Sequence, residues 1–229
     1  MPKSLSVLFE DNHIIAINKT NSDIVQPDVT GDISLEERVK AYLKDKYKKP
    51  GDVFLGVVHR IDRPVSGTVI FARTSKSLER LNKMFQEKTI KKTYWAVVKD
   101  LPPHQTAMIT HYIRRDTKVN KSAAHDKEVQ DSKLSSLTYT VCSRSENYNL
   151  LEIDLHTGRH HQIRCQLSKI GCPIKGDLKY GFPRSNPDGG ISLHARSIAF
   201  EHPVTKEKIL IVAPVPNVPL WKALTSELE

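Results

Sequence analysis

One carboxylate is set among two guanidinium groups and an imidazole in the segment His59-Arg60-Ile61-Asp62-Arg63, which lies between two apolar runs. A neighbouring guanidinium favours the ionised form of an aspartate, even one that is partly buried. An ionised and well-positioned Asp62 can act as a nucleophile at a sugar carbon. The same cluster is equally typical of a network of surface salt bridges, so this segment alone leaves both interpretations open.

A second cluster of donors occupies residues 157–164, where a predicted strand passes into a predicted helix. Helix N-termini attract phosphate groups, so the donors at the start of this helix, near Arg159, are candidates for contact with a polyanion. Arg164 directly follows Ile163 in the apolar stripe of the helix, and its side chain is therefore predicted to point partly inward. An inward arginine needs a carboxylate partner, and Asp62 is a candidate. The alternative for either arginine is a solvated charge on the helix.

Tyr94 follows a strongly basic stretch, because residues 73–92 contain seven lysines and arginines but only two glutamates. Aromatic rings interleaved with cationic side chains are typical of surfaces that stack nucleobases. A buried core aromatic is the alternative interpretation of Tyr94. The net charge of +9 also favours a polyanionic partner, although many basic proteins have none.

Several classes of protein are excluded by what the sequence lacks. No window approaches the 18 apolar residues of a membrane span, and the N-terminus has no apolar region typical of a secretory signal. Three widely spaced cysteines favour a reduced, cytoplasmic protein over a disulfide framework. His156, His160 and His161 have no cysteine or carboxylate at ligand spacing, so no metal is expected. No nucleotide-binding glycine motif, serine-hydrolase elbow or pair of carboxylates for glycoside hydrolysis is present.

Short apolar runs and helical periodicities alternate along the 229 residues. Strands are predicted at 5–9, 14–18, 53–58, 68–73, 94–98, 136–144, 148–155, 192–201 and 208–213. Helices are predicted at 34–48, after Ser75, at 160–170 and at 220–228. Residues 100–135 are polar and are expected to form exposed ribbons and loops, and residues 180–190 form a loop. Hairpins outnumber strand–helix–strand units, which favours an α+β fold with a mixed, largely antiparallel central sheet flanked by helices and loops.

Residue types at the ends of these elements predict their caps and turns. Ser34 and Glu37 are spaced as a capping box, Ser75 can cap the second helix, and Gly171 can end the third. Residues 10–13 are predicted to form an Asx-type turn between the first two strands.

These segments, in this order, closely resemble the RluA-type pseudouridine synthase family. The resemblance covers nearly the whole chain and is carried by VLFEDNHIIAINK, GVVHRIDRPVSGTVIFARTSKS, KKTYWAVV, LHTGRHHQIRCQLSKIGCPIKGDLKYG and LHARSIAFEHP. The resemblance implies the pseudouridine synthase fold, with a catalytic cleft across the sheet. It also implies a single catalytic domain over 1–229, with two lobes that share one sheet. The first family block begins by residue 5, so no N-terminal S4 RNA-binding domain is expected.

The resemblance assigns roles to individual residues. Asp62 is implied as the catalytic aspartate, Tyr94 as the active-site tyrosine that stacks on the base, and Arg164 as the partner of the aspartate. Arg60 is implied as the residue that enters the RNA stack when the target base leaves it. The remaining residues expected to bind the substrate are His59, Arg63, Arg159 and Gln162.

The implied activity is the isomerisation of uridine to pseudouridine in structured RNA, either ribosomal or transfer RNA, by a monomer without cofactor or metal. One alternative is a catalytically silent RNA-binding module on the same fold, against which the presence of all three implied catalytic residues argues. Another is an RNA nuclease or glycosidase of a different class. The chain departs from the family where Asn18-Lys19 is followed by Thr20-Asn21-Ser22 instead of Pro-x-Gly, which affects a turn. The sequence does not specify the target uridine.

Overall fold

A computed structural model describes residues 5–228. The chain divides into two compact units. The first unit comprises the chain up to Ile90 together with Ala195–Pro214, and the second comprises Lys91–His194 together with the chain from Val215 onward.

The described chain contains strands, α-helices and one short 3-10 turn at Leu178–Tyr180. The strands are β1 Val7–Glu10, β2 Ile14–Lys19, β3 Gly56–Val57, β4 Ser66–Ala72, β5 Lys91–Val98, β6 Thr106–Asp116, β7 Lys121–His125, β8 Lys133–Arg144, β9 Asn149–Leu155, β10 Leu193–Glu201 and β11 Lys208–Val212. The helices are α1 Leu35–Lys46, α2 Ser75–Gln86, α3 Gln162–Lys169 and α4 Pro219–Thr225.

In the first unit, β2 pairs antiparallel with both β1 and β4, β3 pairs antiparallel with β4, and β10 pairs antiparallel with β11. The β1–β2 turn is the predicted Asx turn, since Asp11 accepts hydrogen bonds from the backbone N–H groups of His13 and Ile14. One core cluster joins Ile14, Ile70 and Leu81, which places α2 against the strands. The buried strands of this unit form a rigid base for the loop between β3 and β4.

Two helix starts in this unit show how local chemistry fixes their position. Ser34 and Glu37 form the predicted capping box of α1. The second helix is capped by Thr74, whose side chain accepts from the N–H of Ser77, so the prediction of Ser75 as the cap is wrong by one residue. Thr74 has the extended backbone that a cap requires, whereas Ser75 is already helical.

In the second unit, five strands pair antiparallel in the order β5-β9-β8-β6-β7. Helix α4 covers part of this sheet, where Trp221 and Leu224 pack on Trp95, Val97 and Leu150. The polar segment 100–135, predicted as exposed ribbons and loops, contains β6 and β7. Residues Thr106–Ile113 of β6 pair with β8 within the sheet, and Tyr112–Asp116 pair with Lys121–His125 to form the β6–β7 ribbon.

Helix α3 ends in a Schellman motif, as the glycine at its end predicted. Gly171 has φ +80° and donates to the carbonyl of Ser168, while Cys172 donates to that of Leu167. The start of the helix differs from the prediction, because His161 adopts a left-handed conformation with φ 52° and the helix begins only at Gln162.

Two more boundaries correct the sequence prediction. The strand expected at 53–58 is reduced to Gly56–Val57. Val53 and Leu55 are buried while Phe54 is 47% exposed, so the alternation of a strand is present, but the backbone before Gly56 lacks a strand partner in the described chain. The last helix occupies Pro219–Thr225 instead of 220–228. The α+β class and the largely antiparallel pairing are confirmed.

The three cysteines form no disulfide, and Cys165 and Cys172 are buried. Burial raises the pKa of Cys165 to about 12, that of Cys172 to about 11, and that of Cys142 above its usual value. Between residues 5 and 228, no helix has the length and apolar character needed to cross a membrane.

Candidate functional site

Asp62 lies in the first unit, on the loop that leads from β3 into β4. The loop closes tightly, since the N–H of Val65 donates to the carbonyl of Asp62 at 3.0 Å. Ile61 and Val65, on either side, are 8% and 2% exposed. The apolar neighbours anchor the loop in the core, and the Asp62 side chain between them is only half-buried. This arrangement presents a carboxylate from a fixed backbone.

His59 holds this loop to β4. Its Nε2 accepts a hydrogen bond from the backbone N–H of Ile70 at 3.0 Å, one residue beyond the last β3–β4 pair, Val57 with Phe71. The imidazole also stacks on Phe85, with ring centroids 5.1 Å apart. The side chain therefore continues the β3–β4 ladder where the backbone of β3 leaves it.

Lys19 is a residue of this site that the sequence analysis missed. Its side chain is 1% exposed, and its Nζ donates to the carbonyls of Thr20 at 2.9 Å and Arg63 at 3.0 Å. A buried lysine is rare and must be hydrogen-bonded. The signal in the sequence that could have identified Lys19 was its position in the first block that resembles the family, VLFEDNHIIAINK. Lys19 thus fixes the far side of the Asp62 loop.

The two arginines that flank Asp62 are exposed and contact the segment 26–33. Arg60 donates from Nη1 to Oε1 of Gln26 at 3.3 Å. Arg63 pairs with Asp32 at 2.6 Å, with 46% and 53% of the two side chains exposed. Exposed contacts of this kind contribute about 0–1 kcal/mol. Both guanidinium groups can therefore exchange these partners for others at little cost.

In the second unit, Arg164 is 5% exposed on the first turn of α3. Its Nε donates to Oδ2 of Asp177 at 2.7 Å, and its Nη2 donates to Oδ1 at 2.9 Å. The inward orientation predicted for Arg164 is confirmed. Asp177 was missed as a partner because it lies 13 residues further along the chain. The predicted pairing of Arg164 with Asp62 joins residues of different units and stays a prediction.

Tyr94 lies on β5 and is 9% exposed. Lys92 stands two residues earlier, and side chains two apart on a strand share a face. The Lys92 ammonium lies beside Gly158, 3.3 Å from where a Cβ at that residue would be. Within residues 5–228, it forms no hydrogen bond or salt bridge. Desolvation lowers its pKa below the usual 10.5, so a half-buried cation lies next to Tyr94 without an anionic partner in the described chain.

Gln162 organises the loop before α3. Its side chain is 3% exposed, and its Oε1 accepts from the hydroxyl of Thr157 at 2.8 Å and from the backbone N–H of Arg159 at 3.0 Å. Its Nε2 donates to the carbonyl of Ser136 at 3.0 Å. The Arg159 side chain is exposed. The loop therefore has a fixed backbone and an exposed cationic side chain.

A cluster of two stacked histidines and an edge-on tyrosine lies beside this loop. The rings of His160 and His161 stack with centroids 3.7 Å apart, and His161 Nδ1 lies 2.9 Å from the hydroxyl of Tyr180. His160 also contacts the hydroxyl of Ser122 and the side chain of Asn120, at 2.9 and 3.1 Å. These contacts attach the β6–β7 ribbon to the loop before α3.

The β6–β7 ribbon carries a cluster of basic side chains that the sequence analysis did not single out. Its exposed cationic residues are Arg114, Arg115, Lys118 and Lys121. Val119 at the turn is 60% exposed. The signal in the sequence was the basic content of 114–121, which lacked a clear periodicity.

The predicted site residues therefore fall into two groups. His59, Arg60, Asp62 and Arg63 share one loop of the first unit, and Tyr94, Arg159, Gln162 and Arg164 belong to the second unit. Across residues 5–228, no group of three or more His, Cys, Asp or Glu side chains could hold a metal ion.

The fold that carries these residues is that of the pseudouridine synthases. The chain matches the solved structure "Human RNA Pseudouridylate Synthase Domain Containing 4" with a TM-score of 0.77 and 21% identity, over 93% of this chain and 89% of that one. It matches "Human RNA Pseudouridylate Synthase Domain Containing 1" with a TM-score of 0.75 and 21% identity, over 96% and 87%. The predicted fold is confirmed.

Residues 13–169 match the family described as RNA pseudouridylate synthase. The "Uncharacterized RNA pseudouridine synthase YlyB" of Bacillus subtilis (strain 168) is 35% identical over 220 residues, which cover 94% of this chain and 71% of that protein. The chain therefore belongs to the RNA pseudouridylate synthase family, as the motifs predicted.

Two further relatives are named after different RNAs. The "tRNA pseudouridine synthase C" of Haemophilus influenzae is 30% identical, covering 91% of this chain and 92% of that protein. The "Ribosomal large subunit pseudouridine synthase D" of Neisseria meningitidis serogroup B is 29% identical, covering 94% and 59%.

Proposed function

We propose that this protein converts uridine to pseudouridine in structured RNA, with Asp62 as the catalytic carboxylate. The observation that carries the proposal is the Asp62 loop, in a chain of this family. Lys19 and His59 fix the loop from two sides, apolar neighbours anchor it, and the carboxylate between them stays accessible. A fixed backbone with an accessible carboxylate is what a preorganised nucleophile requires.

The reaction breaks the bond between N1 of uracil and C1′ of ribose, and joins C1′ to C5 of the same base. No electron is gained or lost overall, and no water enters the product. Uracil can depart as a delocalised anion, so the second carboxyl acid that a glycosidase needs is dispensable. Asp62 can attack C1′, assist proton loss at C2′ to give a glycal, or add to C6 of the base. C5 finally loses a proton to a base, a role that Asp62 can also fill.

The target base must leave the RNA stack before Asp62 can reach its sugar, which costs a few kcal/mol. We propose that Arg60 offsets this cost by entering the vacated space. Its single exposed contact with Gln26, at 3.3 Å, is weak enough to be given up for the RNA. Tyr94 then stacks on the extruded base and Arg164 pairs with Asp62.

The RNA backbone is held by cations on both units. Arg63 and Arg159 have exposed side chains that can reach phosphates, and Lys92 supplies a further cation beside Tyr94. The β6–β7 ribbon adds four basic side chains. His59 and Gln162 are also expected to bind the substrate, and their hydrogen bonds to backbone groups fix the loops that carry Asp62 and Arg159. Each phosphate contact strengthens RNA binding in a salt-dependent manner.

We further propose that the protein works as a cytoplasmic monomer on ribosomal or transfer RNA, without cofactor or metal. The relatives named after ribosomal and transfer RNA support the substrate class. Mapping pseudouridine at single-nucleotide resolution in cells with and without the gene identifies the target. Size-exclusion chromatography with light scattering tests the monomer.

The test of the activity is to incubate the purified protein with unmodified RNA and to measure pseudouridine by mass spectrometry. We expect Asp62→Asn, which keeps the shape of the side chain, to lose at least a thousandfold in single-turnover rate while still binding RNA. Asp52→Asn is the matched control, because Asp52 is exposed and lies outside the loop. Full activity in Asp62→Asn would disprove the role of Asp62. Tight RNA binding by the wild-type protein without any conversion would favour a silent binding module.

A further inference from the structure

Asp177 is a carboxylate buried to 1% exposure that makes a two-bond contact with Arg164. Among the residues that the structure describes, Arg164 is its side-chain partner. The two bonds use Nε and Nη2, one edge of the guanidinium group, and a pairing of this kind fixes both position and plane. The opposite edge of the guanidinium, which carries Nη1, takes no part in it.

We propose that Asp177 is a positioning residue for the isomerisation. Asp177 accepts hydrogen bonds from Nε and Nη2 of Arg164 and so fixes the plane of the guanidinium group. The Nη1 edge is then presented to the catalytic carboxylate in one orientation. The proposal rests on the proposed function, in which Arg164 pairs with Asp62. Asp177 touches neither substrate nor reacting atoms and acts through Arg164.

The surroundings of Asp177 are built to hold it still. Its N–H donates to the carbonyl of Ile174 at 3.0 Å, and its own carbonyl accepts from the N–H groups of Tyr180 at 3.1 Å and Phe182 at 3.0 Å. Gly176, directly before it, has φ +88°, and a Cβ there would lie 2.7 Å from the Asn186 side chain. The backbone of Asp177 is thus fixed on both sides by a turn that requires glycine.

Tyr180 constrains the guanidinium from a second direction. Its ring centroid lies 5.0 Å from Cζ of Arg164, in the range of a cation–π contact. One edge of Arg164 is therefore held by Asp177 while the ring of Tyr180 lies close to the cation. Few rotamers of a long arginine side chain satisfy both contacts, so the entropy of ordering it is lost on folding and not on binding RNA.

The charge of Asp177 also matters for a site that receives RNA. A buried guanidinium without a carboxylate is attracted to any anion that enters, including the phosphates next to the target nucleotide. Pairing with Asp177 cancels one positive charge and leaves a directional donor edge. Arg164 is then suited to orienting a carboxylate and poorly suited to capturing a phosphate.

The experiment compares wild-type protein with Asp177→Asn by two measurements. In wild-type protein, the Nε–H proton of Arg164 should give a downfield NMR resonance that exchanges slowly with solvent, and Asp177→Asn should shift it upfield and speed its exchange. Single-turnover conversion of prebound RNA should fall about 10- to 100-fold, since small misplacements near a reacting centre cost rates of this order. The dissociation constant for RNA should rise less than threefold, because losing Asp177 removes no contact with RNA.

Two controls keep the result decisive. Glu10→Gln breaks a buried ion pair in the first unit and should lower stability without changing the rate per folded molecule. If Asp177→Asn does not fold, Asp177→Glu keeps the charge but lengthens the side chain, and it should still slow turnover and shift the Nε–H resonance. A wild-type rate in a folded Asp177 variant, or an unchanged Nε–H resonance, would overturn the proposal. If the wild-type protein converts no uridine, the proposed function fails, while the resonance still reports whether Asp177 orients Arg164.

Discussion

The hydroxyl of Tyr180 lies 2.9 Å from Nδ1 of His161. The same oxygen accepts the backbone N–H of Ser122 at 2.8 Å, and its own proton can be donated to an unprotonated Nδ1. Burial, together with the neighbouring positive charge of Arg164, lowers the pKa of His161 to about 2. The ring is therefore neutral in the folded protein across the physiological range.

This neutral histidine predicts acid sensitivity. Below the usual pKa of about 6.5, the unfolded chain binds a proton at His161 that the folded chain does not. The contribution of neutral His161 to the free energy of unfolding is therefore fully present above pH 6.5. It falls as the pH drops, by up to about 1.4 kcal/mol per pH unit for one proton. We expect His161→Asn, which tolerates the left-handed backbone, to flatten this slope in urea unfolding between pH 6.5 and 4. An identical slope in the variant would show that His161 is protonated in the folded state.

Lys92 should contribute one phosphate contact. We expect Lys92→Met, which keeps the apolar stem, to weaken RNA binding about 5- to 10-fold and to reduce the salt dependence of the dissociation constant by about one unit of log–log slope. Because desolvation lowers the pKa of Lys92 below 10.5, affinity in wild-type protein should decline on the alkaline side before an ordinary lysine loses its charge. Lys92→Arg should extend binding to higher pH. Lys222→Met removes an exposed lysine of α4; it is the control and should leave the slope unchanged.

The buried carboxylate of Glu10 is the centre of a hydrogen-bond network in the first unit. It accepts hydrogen bonds from Tyr42, Lys46, Tyr47 and Arg73. Burial disfavours its charge, but the bonds from Lys46 and the tyrosines outweigh burial and hold the pKa of Glu10 below 4.5. The stabilisation is present above that value and is lost as the pH falls through the folded-state pKa.

We expect Glu10→Gln to lower the free energy of unfolding by about 2 kcal/mol at pH 7, since it leaves the buried Arg73 guanidinium without its carboxylate. The difference between variant and wild type should shrink below pH 4. Glu201→Gln removes an exposed pair with Lys206 and should cost less than 0.5 kcal/mol. Chemical denaturation at pH 7 and pH 3.5 measures the stability of both variants. If the difference between Glu10→Gln and wild type were the same at the two pH values, the lowered pKa of Glu10 would be contradicted.

Gly67 allows β4 to begin next to the Asp62 loop. Its φ is +114°, and a Cβ there would lie 2.4 Å from the carbonyl oxygen of Ala195. Gly67→Ala must therefore move backbone, and we expect a loss of at least about 3 kcal/mol in stability. Gly51→Ala, where nothing lies within 4 Å of the added atom, should be nearly neutral. Thermal unfolding distinguishes them, and equal melting temperatures would disprove the close approach.

Features that depend on neighbouring residues were predictable from sequence. The Asx turn at Asp11, the capping box at Ser34 and the Schellman end at Gly171 follow from residue types within four positions. The candidate site residues were predictable for a different reason: the order and separation of the motifs that contain them resemble those of the family.

Features that depend on distant contacts were not predictable. Nothing local indicates that Arg164 pairs with Asp177, or that Lys19 reaches the carbonyl of Arg63, 44 residues away. His161 could not be placed before the helix, because a left-handed backbone is uncommon for any residue but glycine and no neighbouring residue type signals it. Tertiary contacts of this kind decide which polar side chains serve the fold and which stay available to RNA.

The burial of Cys142, Cys165 and Cys172 affects how readily the protein is oxidised during storage. The thiolate is the form that reacts with peroxide, disulfides and alkylating agents. Because burial raises the pKa of all three thiols, very little thiolate exists at neutral pH. The protein should therefore tolerate storage without a reducing agent, and a thiol-directed fluorophore at mild pH should label the partly exposed Cys142 before the buried pair.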